Sequence, residues 1–315
     1  CPYWVFIMKP IPSISSAVDV KDVKEVLSKN YSTLSPIFFR FVSDWLIGAY
    51  SNFEDIDAYM ILIYLVNNDF KFYRKNNILI DYESFYKDKT LEIEEIKIIQ
   101  IANDLSIPKE STRRKVAELE KRGVIKRKGK KIFIDRSAYE TVQPISALKN
   151  ISYLICISSK ILKQENQITN SLSSTEISDG IKKHFSFCWY EFYKFIFSYY
   201  FRWRKEFGDL ETLCIGLLLI SNASSNKDLV LHDIDIENWR KRISYADKVG
   251  LNSMSISDIT GIPRPTVVRK VNSLIKKGYA KIDQKKLISL SIEKKVFSKT
   301  QKIQEKTIQE ISELI

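Results

Sequence analysis

The sequence predicts a mainly α fold built from two homologous helical units, each closing with a small β-hairpin, and three observations carry that prediction. The first is a repeat: Ser106 to Val116 (SIPKESTRRKV) returns 155 positions later as Gly261 to Val271 (GIPRPTVVRKV), and the match runs on through Leu119 and Leu274, the basic pairs Lys121-Arg122 and Lys276-Lys277, and Gly123 and Gly278. The second is composition: nine glycines among 315 residues, with abundant Ile, Lys, Ser and Asn, are too few for the tight turns of an all-β fold and suit helices joined by short loops. The third is apolar spacing at helical intervals ahead of each copy.

The duplicated region is longer than the matching helix. Ahead of the first copy stand Phe38 to Trp45, Glu54 to Asp57 and the apolar run Tyr59 to Val66; ahead of the second stand Phe192 to Tyr199, Gly208 to Glu211 and Leu213 to Ile220, at an offset of 154. These give two units, 34–145 and 186–292, preceded by an N-terminal segment 1–33. Between the units, 146–185, the spacing of Leu148, Ile151, Leu154, Ile155 and Leu162 predicts a connecting helix, and the Ser-, Asn- and Thr-rich stretch after Gln164 a polar loop. The last segment, 293–315, places Val296, Ile303, Ile308 and Ile311 on one face of an amphipathic helix that packs on the body or pairs with another chain.

Within the first unit Ile98, Ile101, Ala102 and Leu105 share a helix face, Ser106-Ile107 makes a turn, and Pro108 opens a second helix, where its missing N–H costs nothing. Thr112, Val116 and Leu119 then face the core, leaving Lys109, Ser111, Arg113, Arg114 and Lys115 outward. The second unit repeats this with Ile256, Ile259, the turn Thr260-Gly261-Ile262 and Pro263. Its core face is Val267, Val271 and Leu274, and its outer face Arg264, Thr266, Val268, Arg269 and Lys270. A hairpin follows each helix: Val124 to Arg127 and Lys130 to Ile134 about a Lys128-Gly129 turn, then Tyr279 to Ile282 and Lys285 to Leu290 about Asp283-Gln284.

Charge follows the same repeat. The chain carries a net +12, while windows 107–131 (11 Lys/Arg, 3 Glu) and 262–286 (8 Lys/Arg, 1 Asp) hold +8 and +7, so the remainder nets −3. A basic excess confined to two matching surfaces is the footprint of a nucleic-acid-binding protein.

Helix, turn, helix and basic hairpin in this order resembles the winged helix-turn-helix of bacterial transcription regulators such as the MarR, IclR and cyclic-AMP-receptor families, over about 91–135 and 246–290. The resemblance implies that the second helix enters the major groove while the hairpin, or wing, lies along the backbone or minor groove. It assigns groove contacts to Lys109, Ser111, Arg113, Arg114 and Lys115 and to Arg264, Thr266, Val268, Arg269 and Lys270. Lys126, Arg127, Lys128, Lys130, Lys131, Lys285 and Lys286 fall on the wings. The chain has no cyclic-nucleotide cassette or recognisable effector domain. Arg113 stands where the second copy has Val268, which predicts related but non-identical half-sites, an imperfect inverted repeat read by one chain acting as an intrachain pseudo-dimer.

Other chemistries lack their parts. Cys1, Cys156, Cys188 and Cys214 have no CxxC spacing and only His184 and His232 accompany them, so neither a zinc site nor any cofactor is expected, and the last three cysteines read as reduced apolar residues of a cytoplasmic protein. Without a Gly-rich phosphate loop, a GxSxG or a paired-His motif, no enzyme is expected. The matching carboxylates Asp55, Asp57, Asp209 and Glu211 precede apolar helices and complement their N-termini. Tyr3 to Met8 is too short for a signal h-region, no uninterrupted apolar stretch reaches membrane length, and Met8 is an alternative first residue. The aromatic stretch Phe185 to Trp203 reads as core between the units rather than an effector pocket. The expected function is a sequence-specific, double-stranded DNA-binding transcription regulator; the alternatives are a plasmid or phage replication initiator and a winged-helix interaction scaffold.

Overall fold

The computed structural model describes residues 18–139, 143–226, 229, 234–243 and 249–315; Tyr3 to Met8 and His232 lie outside them. Helices dominate, with two small antiparallel sheets. The first half comprises α1 (Val20–Lys29), α2 (Tyr31–Phe53), α3 (Ile56–Lys75), α4 (Tyr82–Tyr86), β1 (Thr90–Glu94), α5 (Ile98–Leu105), α6 (Lys109–Lys121), β2 (Ile125–Lys128), β3 (Lys131–Asp135) and α7 (Ile145–Gln164). The second comprises α8 (Ser174–Lys183), α9 (Phe185–Phe207), α10 (Leu210–Ser224), α11 (Ile236–Ile243), α12 (Ser253–Thr260), α13 (Arg264–Lys277), β4 (Ala280–Ile282), β5 (Ile288–Leu290) and α14 (Lys294–Leu314).

Local chemistry sets the helix boundaries. Asp55 caps α3 by accepting from the Ala58 amide at 3.1 Å, and Asp209 caps α10 by accepting from Thr212 at 2.8 Å, so each carboxylate satisfies an orphan N–H and faces the positive end of a helix dipole. These caps bear out the N-terminal reading of both residues. Helices α1 and α8, like the short α4 and α11, lie where none was expected. α1 precedes the first unit with Val23, Val26 and Leu27 buried. α8 occupies the end of the stretch read as a polar loop, started by a reciprocal capping box between Ser173 and Glu176. Both have ten residues, and they start 154 positions apart.

The centre is the crossing of α2 and α9, each of 23 residues and again 154 apart. Phe38 meets Phe195 at 6.4 Å between ring centroids and Phe41 meets Phe192 at 6.0 Å; adding the offset to one pair generates the other. Trp45 stacks on Tyr200 at 5.1 Å, and the Tyr200 hydroxyl donates to the Val42 carbonyl at 2.8 Å. Burying rings of this size contributes about 2–3 kcal/mol each before ordering costs, and this aromatic crossing acts together with the packing of α2 on α10 and of α3 on α9 in holding the two halves together. The aromatic stretch of α9 is therefore core, as expected: Phe185, Trp189, Phe192, Tyr193, Phe195, Tyr199 and Tyr200 are all buried.

The outer packing repeats in the same way. α2 packs on α10 and α9 on α3; α7 packs on α8 and α2, while α14 packs on α1 and α9. The C-terminal helix thus spends its apolar face, Val296, Ile308 and Ile311, inside the chain, and Arg202 fixes it through a bidentate pair with Glu310 at 2.6 and 2.7 Å. Among the described residues one helix, Ile145–Gln164, is long and apolar enough by composition to cross a membrane, but half of that stretch is buried in the protein.

Candidate nucleic-acid interface

Each basic helix is aimed by the turn before it. α5 ends at Ser106 with φ 50°, and α12 at Gly261 with φ 73°, left-handed positions that reverse the chain in a single residue. Ile107 and Ile262 are buried and pin the turns. Pro108 and Pro263 sit one position before the expected one, as N-cap residues with φ −53° and −55°, and the helices begin at Lys109 and Arg264. Thr112, Val116, Leu119, Val267, Val271 and Leu274 are all buried, as the spacing required. Ile259 is not a core residue: it is 46% exposed, and Thr260 is buried in its place, its hydroxyl donating to the Ile256 carbonyl at 2.7 Å.

On the outer face Lys109, Arg113, Arg114, Arg264, Val268 and Arg269 are exposed, with Ser111 and Thr266 half-buried. Arg113 pairs with Glu110 one turn back at 3.1 Å. Val268, 43% exposed, presents methyl groups to solvent at the position where the first helix presents that arginine.

Lys115 and Lys270 do not face outward, which corrects their assignment to the groove-facing set. Each side chain is only 13% exposed. Lys115 pairs with Asp55 and lies 3.8 Å from Asp57, and Lys270 lies 2.6 Å from Asp209 and 3.9 Å from Glu211. The reason is helical geometry: positions 115 and 270 fall three residues after one core residue and four before another, so they border the buried stripe. A second tie lies at the other end of each basic helix. Arg122 donates to the carbonyls of Asn52 and Phe53, both at 3.2 Å, and Lys277 to that of Glu206 at 2.8 Å, placing cations at the C-termini of α2 and α9. Sequence reasoning had these two only as members of basic pairs.

The hairpins differ in extent. β1, β3 and β2 form a three-stranded sheet in that order, with Lys128 opposite Lys131 and the turn at Gly129, φ 61°. Lys126, Arg127, Lys128, Lys130 and Lys131 are all exposed. Arg127 grips Glu120 through two bonds of 2.6 and 2.9 Å, and Lys131 pairs with Glu92. The second sheet has two strands, extended by the single bridge Leu251 to Ile288, and its exposed Lys285 and Lys286 ride the loop between β4 and β5. Asp283 orders that loop by accepting from the Leu287 amide at 2.8 Å.

The docking carboxylates have shifted acidities. Burial pushes Glu211 up to about 7, with the neighbouring charges of Asp57 and Asp209 acting in the same direction. Burial acts on Asp209 too, but the hydrogen bonds from Lys270 and Thr212 outweigh it and hold that carboxyl below its ordinary value. No cluster of three or more His, Cys, Asp or Glu suited to a metal occurs among the described residues. Compared with known proteins, the chain matches no family model, no curated protein and no solved structure.

Proposed function

We propose that this protein is a sequence-specific double-stranded DNA-binding regulator of transcription, acting in the cytoplasm without a cofactor, in which two winged helix-turn-helix units on one chain form a pseudo-dimer. The observation that carries the reading is the recurrence, at a fixed offset, of an exposed basic helix set on a rigid two-helix base and followed by a lysine-bearing hairpin. An α-helix fits the major groove, arginine can address guanine through two hydrogen bonds, and lysines on a hairpin neutralise phosphate without reading sequence. Lys109, Ser111, Arg113 and Arg114, with Arg264, Thr266, Val268 and Arg269, are the reading set. The mirrored ring pairs at the crossing of α2 and α9 support a common base for the two helices, the role a subunit interface plays in a dimeric regulator.

The test is stoichiometry and footprint on a duplex selected by the purified chain. One chain per duplex, protecting two major-groove segments about one helical turn apart, is the expected result. Tandem direct repeats engaged by several chains would favour a replication initiator, and interactions insensitive to salt a protein scaffold.

A further inference from the structure

The charges that dock the two basic helices are not confined to their own halves. Asp57, beside Lys115 on the first half, also receives the guanidinium of Arg204 from the end of α9 in the second half, and that arginine is buried. The position 154 residues before Arg204 is Tyr50, whose ring lies beside Gly261, the turn residue of the second unit: a Cβ there would stand 3.6 Å from it. Glu211 is faced by Lys270 from α13, Asp57 from α3, Tyr50 from α2, and Asp209 and Cys214 of its own helix. Asp55, Asp57, Asp209 and Glu211 thus meet three largely buried cations, Lys115, Lys270 and Arg204, so that one negative charge is in excess when all four carboxylates are ionised; Asp55 and Asp209 stay 34% and 37% open to solvent.

We propose that Lys115 and Lys270 are positioning residues, and that with Asp57, Arg204 and Glu211 they belong to one charged cluster spanning both halves, which holds the two basic helices in a single mutual orientation. Charges so placed act on one another more strongly than they would in water, and removing one leaves the others uncompensated. A change at Lys115 is therefore felt at α13. Burial raises the acidity constant of Glu211, and the charges of Asp57 and Asp209 act in the same direction. The consequence for DNA rests on the function proposed above; the existence of the cluster does not.

The experiment is a carbon-13 NMR titration of the Glu211 carboxyl in the full chain, free of DNA, with hydrogen exchange along α13. Asp57→Asn removes a like charge and lowers the Glu211 midpoint, whereas Lys115→Gln removes an opposite charge and raises it, each by on the order of half a pH unit or more. Lys115→Arg keeps the charge and leaves the midpoint in place, which separates electrostatic coupling from a packing defect. Exchange in α13 rises several-fold in Lys115→Gln and not in Lys115→Arg. A Glu211 midpoint and an α13 exchange rate unmoved by both Asp57→Asn and Lys115→Gln would overturn the proposal. Should Asp57→Asn not fold, the contrast of Gln with Arg at 115 decides alone. Binding to a random 30-base-pair duplex pool, measured separately, tests the function: no binding by the native chain sinks that reading and leaves the cluster standing.

Discussion

The salt dependence of DNA binding can be worked from the geometry of the two basic surfaces. Lys109, Arg114, Lys126, Lys128 and Lys130 on the first, and Arg264, Arg269, Lys285 and Lys286 on the second, are exposed and without an ion pair among the described residues. Arg113, Arg127 and Lys131 are already neutralised by Glu110, Glu120 and Glu92, and Lys115 and Lys270 are committed to docking. If all nine of these cations meet phosphates, the slope of log K against log salt is about −8, and if Arg114 and Arg269 are spent on bases it is about −6. Raising salt from about 50 to 200 mM then weakens binding by roughly four thousand- to sixty thousand-fold. Fluorescence anisotropy on a labelled duplex measures this directly. Replacing Lys128 and Lys130 together by alanine should make the slope shallower by about 2, with proportionate loss on specific and random DNA. A native slope shallower than about −2, or a double variant with the native slope, would refute the assignment of these hairpins to phosphate.

Three further outcomes follow from the same structure. Arg114→Ala or Arg269→Ala should cost about 1–3 kcal/mol on a selected site and much less on random duplex, and equal losses on both would contradict a base-reading role. Phe192→Ala empties the centre of the crossing between α2 and α9, where the ring is buried against Phe41 and Trp189, and should cost about 3–5 kcal/mol in urea unfolding; a loss under about 1 kcal/mol would mean the halves do not depend on this contact. Glu211 has its acidity constant raised from 4.5 to about 7 by folding, so the stability it contributes is full below pH 4.5 and is lost as pH rises through 7. Glu211→Gln should therefore gain stability relative to the native chain on going from about pH 5 to about pH 8, by on the order of 2 kcal/mol, and a gain independent of pH would remove the carboxyl from that role.

The basic helices and their core faces were legible because a helical period, a turn residue and a proline coincide, and all six core-face residues named from spacing are buried. The role of Lys115 and Lys270 was not, although its signal was present: both border the buried stripe, and both have matching carboxylates upstream. A charge on a helix face is solvent-facing by default, and only tertiary contact shows that α3 and α10 present their capped N-termini to these side chains. Arg204 was beyond reach, since no local pattern pairs it with Asp57 across 147 positions. α8 was missed because Ser and Asn content outweighed the Ser173 to Glu176 capping box, and α1 because Val23, Val26 and Leu27 make only a short stripe. For Lys115, Lys270, α1 and α8, unlike Arg204, a local signal existed whose weight depends on what it packs against.

Selection from random duplex DNA with the purified chain tests the central claim most directly. The account predicts enrichment of a site of about 20 base pairs holding two related but non-identical halves in inverted orientation, bound by a single chain. Weak binding to all duplexes with no enriched sequence, or a perfectly palindromic winner that needs two chains, would contradict it.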